Sequence, residues 1–321
     1  MEKIIAAIVA AIISIITALF GGGAKDPTAP TTTRVAPTTA VTTTAPSTTD
    51  ISLGNAKVYE NYKYGADPTR QVLDLYIPAN AKGEVGLVLY IHGGFWMAGD
   101  KSIFSADAKK TCRRGYCGAT ISYRYASYTT HMNDLLDDVA SAASAIKSLA
   151  ASQGVTINKM IVVGHSAGAH LAMMYGYTRA NSSPIKPVAV WDRAGPTNLA
   201  DDMWKAGGSG IYQVFTCITG TYITEDNFSS NAAQLVMAQH SPIAYANSAI
   251  PTIISHGVKD RTVPYENGVT LYQYLSVAGK KVAAFTYPNS DHGLESDASV
   301  EAQARQTLYQ WAQSYMGSPV I

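Results

Sequence analysis

The segment Ile161-Val162-Val163-Gly164-His165-Ser166-Ala167-Gly168-Ala169-His170-Leu171-Ala172 constrains the fold more than any other part of the chain. A short β-branched apolar run meets a Gly-x-Ser-x-Gly pentapeptide, and small helix-forming residues follow at once. That order is strand, sharp turn, helix. Such a turn lifts the serine hydroxyl clear of a sheet on a strained backbone that only small neighbours tolerate. Gly164 and Gly168 are those neighbours, and Ala167 and Ala169 add little bulk. Ser166 also opens a helix, whose N–H groups and dipole favour negative charge beside it. A Gly-Ser turn without chemistry would look the same in isolation. The functional reading needs an acid and then a histidine further along.

Both are present. A serine hydroxyl is a poor nucleophile unless a base lies within reach, and the base needs an orienting acid. In a doubly wound sheet such groups sit in loops after the carboxyl ends of strands. The strand predicted over 252–255 runs into His256-Gly257-Val258-Lys259-Asp260, and the strand predicted over 282–287 runs into Pro288-Asn289-Ser290-Asp291-His292-Gly293. Ser166, Asp260 and His292 are therefore the candidate triad. Asp192, at another strand end, is the reserve acid. Asp291 reads as a turn cap, and His256 and His165 read as structural. Donors for an oxyanion are expected from the backbone N–H of Ala167 and from Gly94 and Phe95 in the His92-Gly93-Gly94-Phe95-Trp96 loop. His92 reads as a brace for that loop and Trp96 as packing under it.

The rest of the pattern is α/β. Continuous apolar runs typical of buried parallel strands occur at 86–91, 159–163, 187–191 and 250–255, with further strands at 118–123 and 281–287. Alternating segments at 58–64 and 71–78 read as strands nearer an edge. Helices are predicted at 105–114, 133–151, 266–278 and 299–316. The expected fold is a doubly wound, mainly parallel sheet with helices on both faces. Residues 197–249 break this rhythm. They hold Trp204, Tyr212, Phe215, Tyr222 and Phe228 among glycines and polar residues, and read as a small cap insertion. A surface excursion with its own small core is the alternative. Trp96, Trp204, Tyr212 and Phe215 are the candidate substrate-binding residues.

Ahead of this domain, residues 4–20 are almost wholly apolar and Gly22-Gly23-Ala24 offers small residues for cleavage. Residues 1–24 read as a signal peptide or an uncleaved N-terminal anchor; the run is close to membrane-spanning length, so both stay open. Residues 25–50 are Thr, Pro, Ala and little else, a linker that cannot bury a core. The catalytic domain is expected over 51–321, and the location as secreted or cell-surface tethered. No stable membrane insertion is expected if 4–20 is removed. The formal net charge of +1 gives no footprint for nucleic acid. The three cysteines, Cys112, Cys117 and Cys217, have no zinc-like spacing with histidine. In an exported chain Cys112 and Cys117 could pair; three buried thiols is the other reading. The 20 tyrosines against 6 phenylalanines suit an extracellular surface or a carbohydrate- or aryl-binding groove.

His92-Gly93-Gly94-Phe95-Trp96, Gly99-Asp100-Lys101-Ser102, Tyr123-Arg124, Gly164 to Ala172, His256-Gly257-Val258-Lys259-Asp260 and Asp291-His292-Gly293 together resemble the α/β-hydrolase superfamily. Within it they are most similar to the esterase/lipase branch of hormone-sensitive-lipase-like carboxylesterases and bacterial feruloyl and acetyl-xylan esterases. The resemblance covers roughly 54–316. It implies ester hydrolysis through an acyl-enzyme, with no metal and no cofactor. Two departures stand out. Phe95 occupies the third glycine of the usual His-Gly-Gly-Gly loop, and Ala169 replaces the glycine usual after Ser-Ala-Gly. A His-Gly-Gly-x-Trp loop followed by Asp-Lys-Ser is also similar to kynurenine formamidases. The expected activity is hydrolysis of short acyl or hydroxycinnamoyl esters, small or attached to polysaccharide. An aryl-formamidase-like amidase is the alternative, and a catalytically silent scaffold is a third reading.

Overall fold

A computed structural model describes residues 53–320. The expected leader over 1–24 and most of the region before the domain, including the linker over 25–50, lie outside the described residues. The described strands are β1 (Lys57–Lys63), β2 (Val72–Ile77), β3 (Gly83–Glu84), β4 (Leu87–Ile91), β5 (Cys117–Ile121), β6 (Val155–Thr156), β7 (Lys159–His165), β8 (Lys186–Arg193), β9 (Thr252–Gly257) and β10 (Val282–Tyr287). The described α-helices are α1 (Ser105–Arg113), α2 (Met132–Ala151), α3 (Ala167–Thr178), α4 (Gly208–Thr219), α5 (Asn231–Gln239), α6 (Glu266–Val277) and α7 (Ala298–Met316).

Eight strands form one sheet in the order β1-β2-β5-β4-β7-β8-β9-β10, and β3 pairs with β6 apart from it. β2 is antiparallel to both β1 and β5, and every pairing from β5 to β10 is parallel. The exposed residues of β1 explain its edge position, and the fully buried Leu-Val-Leu-Tyr-Ile of β4 explains its place in the middle. The period-two alternation of the central strands feeds two cores. Leu87, Leu89, Ile91, Met160 and Val162 face the core covered by α2, α3 and α6. Val88, Tyr90, Ile161 and Val163 face the opposite core, covered by α1 and α7. This is the α/β-hydrolase fold.

The expected strands and helices shift by one or two residues at their ends, and the two-residue strands β3 and β6 have no counterpart in the sequence pattern. β9 begins after Pro251, which cannot donate to a ladder, and carries on through His256 to Gly257. The insertion is more ordered than its sequence indicated. It holds 3-10 turns at Asp202–Gly207 and Pro242–Ser248 around α4 and α5. Its aromatic residues are stacked on one another, with Trp204 edge-on to Phe215 at 5.7 Å and Phe215 stacked on Phe228 at 6.3 Å. Trp204, Tyr212, Phe215 and Phe228 join the sheet-facing core and form no separate one, whereas Tyr222 stays exposed. The paired-cysteine reading is corrected: Cys112, Cys117 and Cys217 are all free and buried. Among the described residues no helix is long and apolar enough to cross a membrane.

Candidate active site

Ser166 stands between β7 and α3 with φ 55° and ψ −125°, a left-handed backbone that a serine adopts only where its surroundings enforce it. The enforcement is local. Ser166 N–H donates to the Arg193 carbonyl at 2.9 Å on the neighbouring strand. Gly164 lets the helix fold back onto the strand, because a Cβ there would lie 2.1 Å from the Gly168 carbonyl oxygen. The β4 loop packs against the same turn: a Cβ on Gly93 would meet the Ser166 Cβ at 3.0 Å.

The loops after β9 and β10 bring Asp260 and His292 together. His292 Nδ1 donates to Asp260 Oδ2 at 2.7 Å, leaving Nε2 as the basic nitrogen. Asp260 Oδ1 accepts from the N–H groups of Thr262 and Val263 at 2.8 and 2.9 Å. Burial alone would raise this carboxyl. Hydrogen bonds from His256 and His292 overrule burial and hold it well below the ordinary carboxylate range. His165, next to the serine, donates from Nε2 to the His292 carbonyl at 2.8 Å and so ties the serine turn to the histidine loop. The Ser166 hydroxyl has no hydrogen bond to His292 within 3.5 Å, a contact that commonly closes only in the substrate complex.

Of the oxyanion candidates, Phe95 and Ala167 line the cleft at Ser166, and Gly94 precedes Phe95 in the same loop. Ala167 is the first residue of α3. Gly94, Phe95 and Trp96 hold φ 114°, 51° and 60°, three consecutive positive values. The Gly94 carbonyl closes this loop by accepting from Met97 and Ala98 at 3.0 and 2.9 Å. The Gly94, Phe95 and Ala167 N–H groups have no partner among the described residues. His92 lies beneath, stacked on Tyr123 at 4.4 Å, and burial pushes its imidazole down to about 4. The Tyr123 hydroxyl donates to the His92 carbonyl at 2.9 Å.

An apolar cleft opens at the nucleophile. Ser166, Ala167, Phe95, Trp96, Trp204 and Phe215 line it, and its free volume is about 10 Å³, room for about one water. Trp96, Trp204 and Phe215 are thus brought to the serine, as their selection from the sequence required. Tyr212 is not. It packs on Phe228 at 5.4 Å and borders a different groove, because the helical turn rotates it away from Phe215. Ile211 takes the place in the cleft instead, at i and i+4 with Phe215. Periodicity would have found it had α4 been recognised as a helix.

The remaining candidates fall elsewhere. Asp192 is buried, accepts from Gly195 N–H at 2.8 Å through Oδ1, and has no partner for Oδ2. Burial pushes its carboxyl up to about 7. It does not touch His292. Asp291 accepts from Gly293 N–H at 3.1 Å and caps the turn. His256 is more than a packing residue: its Nε2 donates to the Val263 carbonyl at 2.8 Å and lies 3.4 Å from Asp260 Oδ2. Sequence reasoning also missed Asp297, which accepts from Asn289 N–H, Asn289 Nδ2 and Ser290 Oγ at 2.7–3.0 Å and so holds the loop that carries His292. Among the described residues no three His, Cys, Asp or Glu side chains converge as a metal centre would require.

Comparison with known proteins adds a family to this geometry. Residues 73–275 match the BD-FAE family, a span that includes Ser166 and Asp260 and ends before His292. The chain is 27% identical over 250 residues to a probable isoprenylcysteine alpha-carbonyl methylesterase of Oryza sativa subsp. japonica, covering 74% of this chain and 57% of that one. It therefore spans little more than half the length of this relative. A kynurenine formamidase of Salmo salar is 26% identical, with 76% of this chain and 78% of that protein covered. Among solved structures, a truncated carbohydrate esterase from gut microbiota superposes with a TM-score of 0.65 at 20% identity, covering 80% of this chain and 95% of that one. At that identity the likeness speaks for the fold.

Proposed function

This chain belongs to the BD-FAE family, and from that premise we propose that it is a serine carboxylesterase working through an acyl-enzyme. The Asp260–His292 hydrogen bond of 2.7 Å, tied through His165 to the serine turn, carries the reading. Ser166 Oγ attacks the ester carbonyl while His292 Nε2 takes its proton. Asp260 holds the imidazole in the Nδ1–H tautomer and stabilises the imidazolium. The N–H groups of Ala167, Gly94 and Phe95 receive the oxyanion. His292 then returns the proton to the departing alkoxide, and the alcohol leaves. Water, activated by the same histidine, releases the acid and frees the serine.

The confined cleft supports a small acyl group, acetyl before hydroxycinnamoyl. A hydroxycinnamoyl chain would have to displace Trp204 or Phe215. The apolar run over 4–20 and the Thr/Pro-rich stretch after it support an enzyme that is secreted or tethered at the cell surface. The esters would then be small molecules or groups on polysaccharide.

A second reading, an aryl-formamidase, is favoured by Phe95-Trp96 in the donor loop and by the likeness to a kynurenine formamidase. Hydrolysis of p-nitrophenyl acetate, methyl ferulate and N-formylkynurenine, compared in the full chain and in Ser166→Ala, separates the two. Ester preference with loss in the variant is expected. Preference for the formamide would replace the first reading with the second, and turnover that survives Ser166→Ala would remove both.

A further inference from the structure

Helix α4 presents two faces to two recesses. Ile211 and Phe215 point into the Ser166 cleft, whereas Tyr212, Gln213 and Thr216 border a neighbouring groove of about 240 Å³ together with Tyr128, Tyr222 and Glu225. Two of its bordering residues are strongly exposed tyrosines, Tyr128 at 60% and Tyr222 at 75%. Exposed aromatic rings beside a recess, on an otherwise polar surface, mark a place for a ligand.

The two tyrosines are anchored. Gln213 Nε2 donates to the Tyr128 hydroxyl at 3.1 Å. Thr216 Oγ1 accepts from Ile223 N–H at 2.9 Å and donates to the Tyr212 carbonyl at 2.9 Å, which clamps the turn bearing Tyr222 onto α4. Asn227 Nδ2 donates to the Tyr222 carbonyl at 2.8 Å. The groove itself offers the Ser209 hydroxyl, the Gln213 amide and the Glu225 carboxylate, and no cation lines it.

Flat rings at the edge with hydroxyl, amide and carboxylate groups between them match one chemistry well. Ring faces stack on the C–H faces of pyranoses, and the polar groups take sugar hydroxyls. A carboxylate without a balancing cation disfavours an anionic sugar. We propose that this groove is a subsite for uncharged pyranose units of a glycan whose ester is presented to Ser166. The assignment rests on the esterase reading and extends it to a polymeric substrate.

The test compares acetylated xylan and acetylated glucomannan with p-nitrophenyl acetate, using the full chain, Tyr222→Ala, Tyr128→Ala and the double variant. The single variants should raise KM on at least one polymer between about three- and tenfold, with kcat unchanged and p-nitrophenyl acetate kinetics unaltered. Tyr222→Trp should retain the wild-type KM. An unchanged polymer KM in the double variant overturns the subsite while leaving the esterase reading intact. Direct binding of xylohexaose, cellohexaose and mannohexaose to Ser166→Ala keeps the two questions apart if turnover fails. Binding to one hexaose that Tyr222→Ala abolishes sustains the subsite. Absence of binding to all three, or tighter binding of an oligogalacturonate, overturns it.

Discussion

His165 Nε2 donates to the main-chain carbonyl of His292 at 2.8 Å, so the residue before the nucleophile holds the backbone of the base. A carbonyl can only accept, which places the proton on Nε2. Burial, with the nearby His292, pushes the His165 imidazole down to about 3, so it stays neutral at working pH. The pair behaves as a spacer between two loops. His165→Leu should lower kcat by up to about 100-fold through misplacement of His292. His165→Gln, whose amide can donate to the same carbonyl, should recover much of the loss. Equal loss in both variants would show that the ring's volume matters and its hydrogen bond does not.

Of the two buried candidate acids, Asp260 touches the base, whereas Asp192 binds the Gly195 N–H and lies toward His256. Asp260→Asn should reduce kcat by about 10⁴-fold, the scale known for a triad left with the wrong histidine tautomer. Asp192→Asn should leave turnover within about threefold, the ordinary scatter of a substitution away from reacting atoms. Steady-state rates on p-nitrophenyl acetate decide between them, and reversal of the two effects would move the acid to Asp192.

Asp192 also contributes to how stability responds to pH. Its folded carboxyl is pushed up to about 7, against an ordinary value near 3.9 in the unfolded chain. Between about pH 4 and 7 the unfolded state has lost a proton that the folded state keeps, so stability from this group falls as pH rises. Above about 7 the folded carboxyl ionises as well and the cost is complete. Asp192→Asn removes that cost and should raise unfolding free energy at pH 8 by up to about 4 kcal/mol. The gain should be absent at about pH 4. Urea unfolding of both proteins at the two pH values tests the sign, and a pH-independent difference would refute it.

Gly164→Ala should abolish activity and destabilise the fold by at least about 3 kcal/mol. The added Cβ would sit 2.1–2.4 Å from backbone atoms of Gly168 and Ala169, and backbone cannot swing aside as a side chain can. Calorimetry with the full chain checks this, and a variant that melts like the wild type would mean the strand-to-helix turn is looser than its geometry states.

Acyl length should follow the wall of the cleft. Wild-type enzyme should favour acetate over octanoate because about 10 Å³ is free beside the serine. Phe215→Ala removes part of that wall and should move the preference toward longer chains by about tenfold or more in relative kcat/KM, the scale of one or two methylene contacts. The ratio of p-nitrophenyl octanoate to acetate turnover is the readout, and an unchanged ratio would place the acyl group elsewhere.

The placement of chemistry was legible wherever a loop follows an apolar strand. Ser166, Asp260 and His292 could be selected because β7 and β9 are short, continuous and buried and β10 is a short, mostly apolar edge strand beside β9, and parallel sheets gather the loops after such strands at one edge. What stayed hidden depended on rotation and on distant pairing. Tyr212 and Phe215 are both apolar-bodied aromatics three residues apart, and only the phase of α4 decides which one meets the serine. Asp297 supports the histidine loop from eight residues beyond Asn289, a contact without periodicity. His256 shares Asp260 because β9 extends further than its apolar run.

The three separate, buried thiols have a practical consequence. Burial pushes Cys112 up to about 11 and also raises Cys117 and Cys217, so none is primed as a thiolate. Folding of this domain draws on no oxidant and loses nothing to a reductant. The described domain is therefore portable: its fold needs neither a reducing nor an oxidising surrounding.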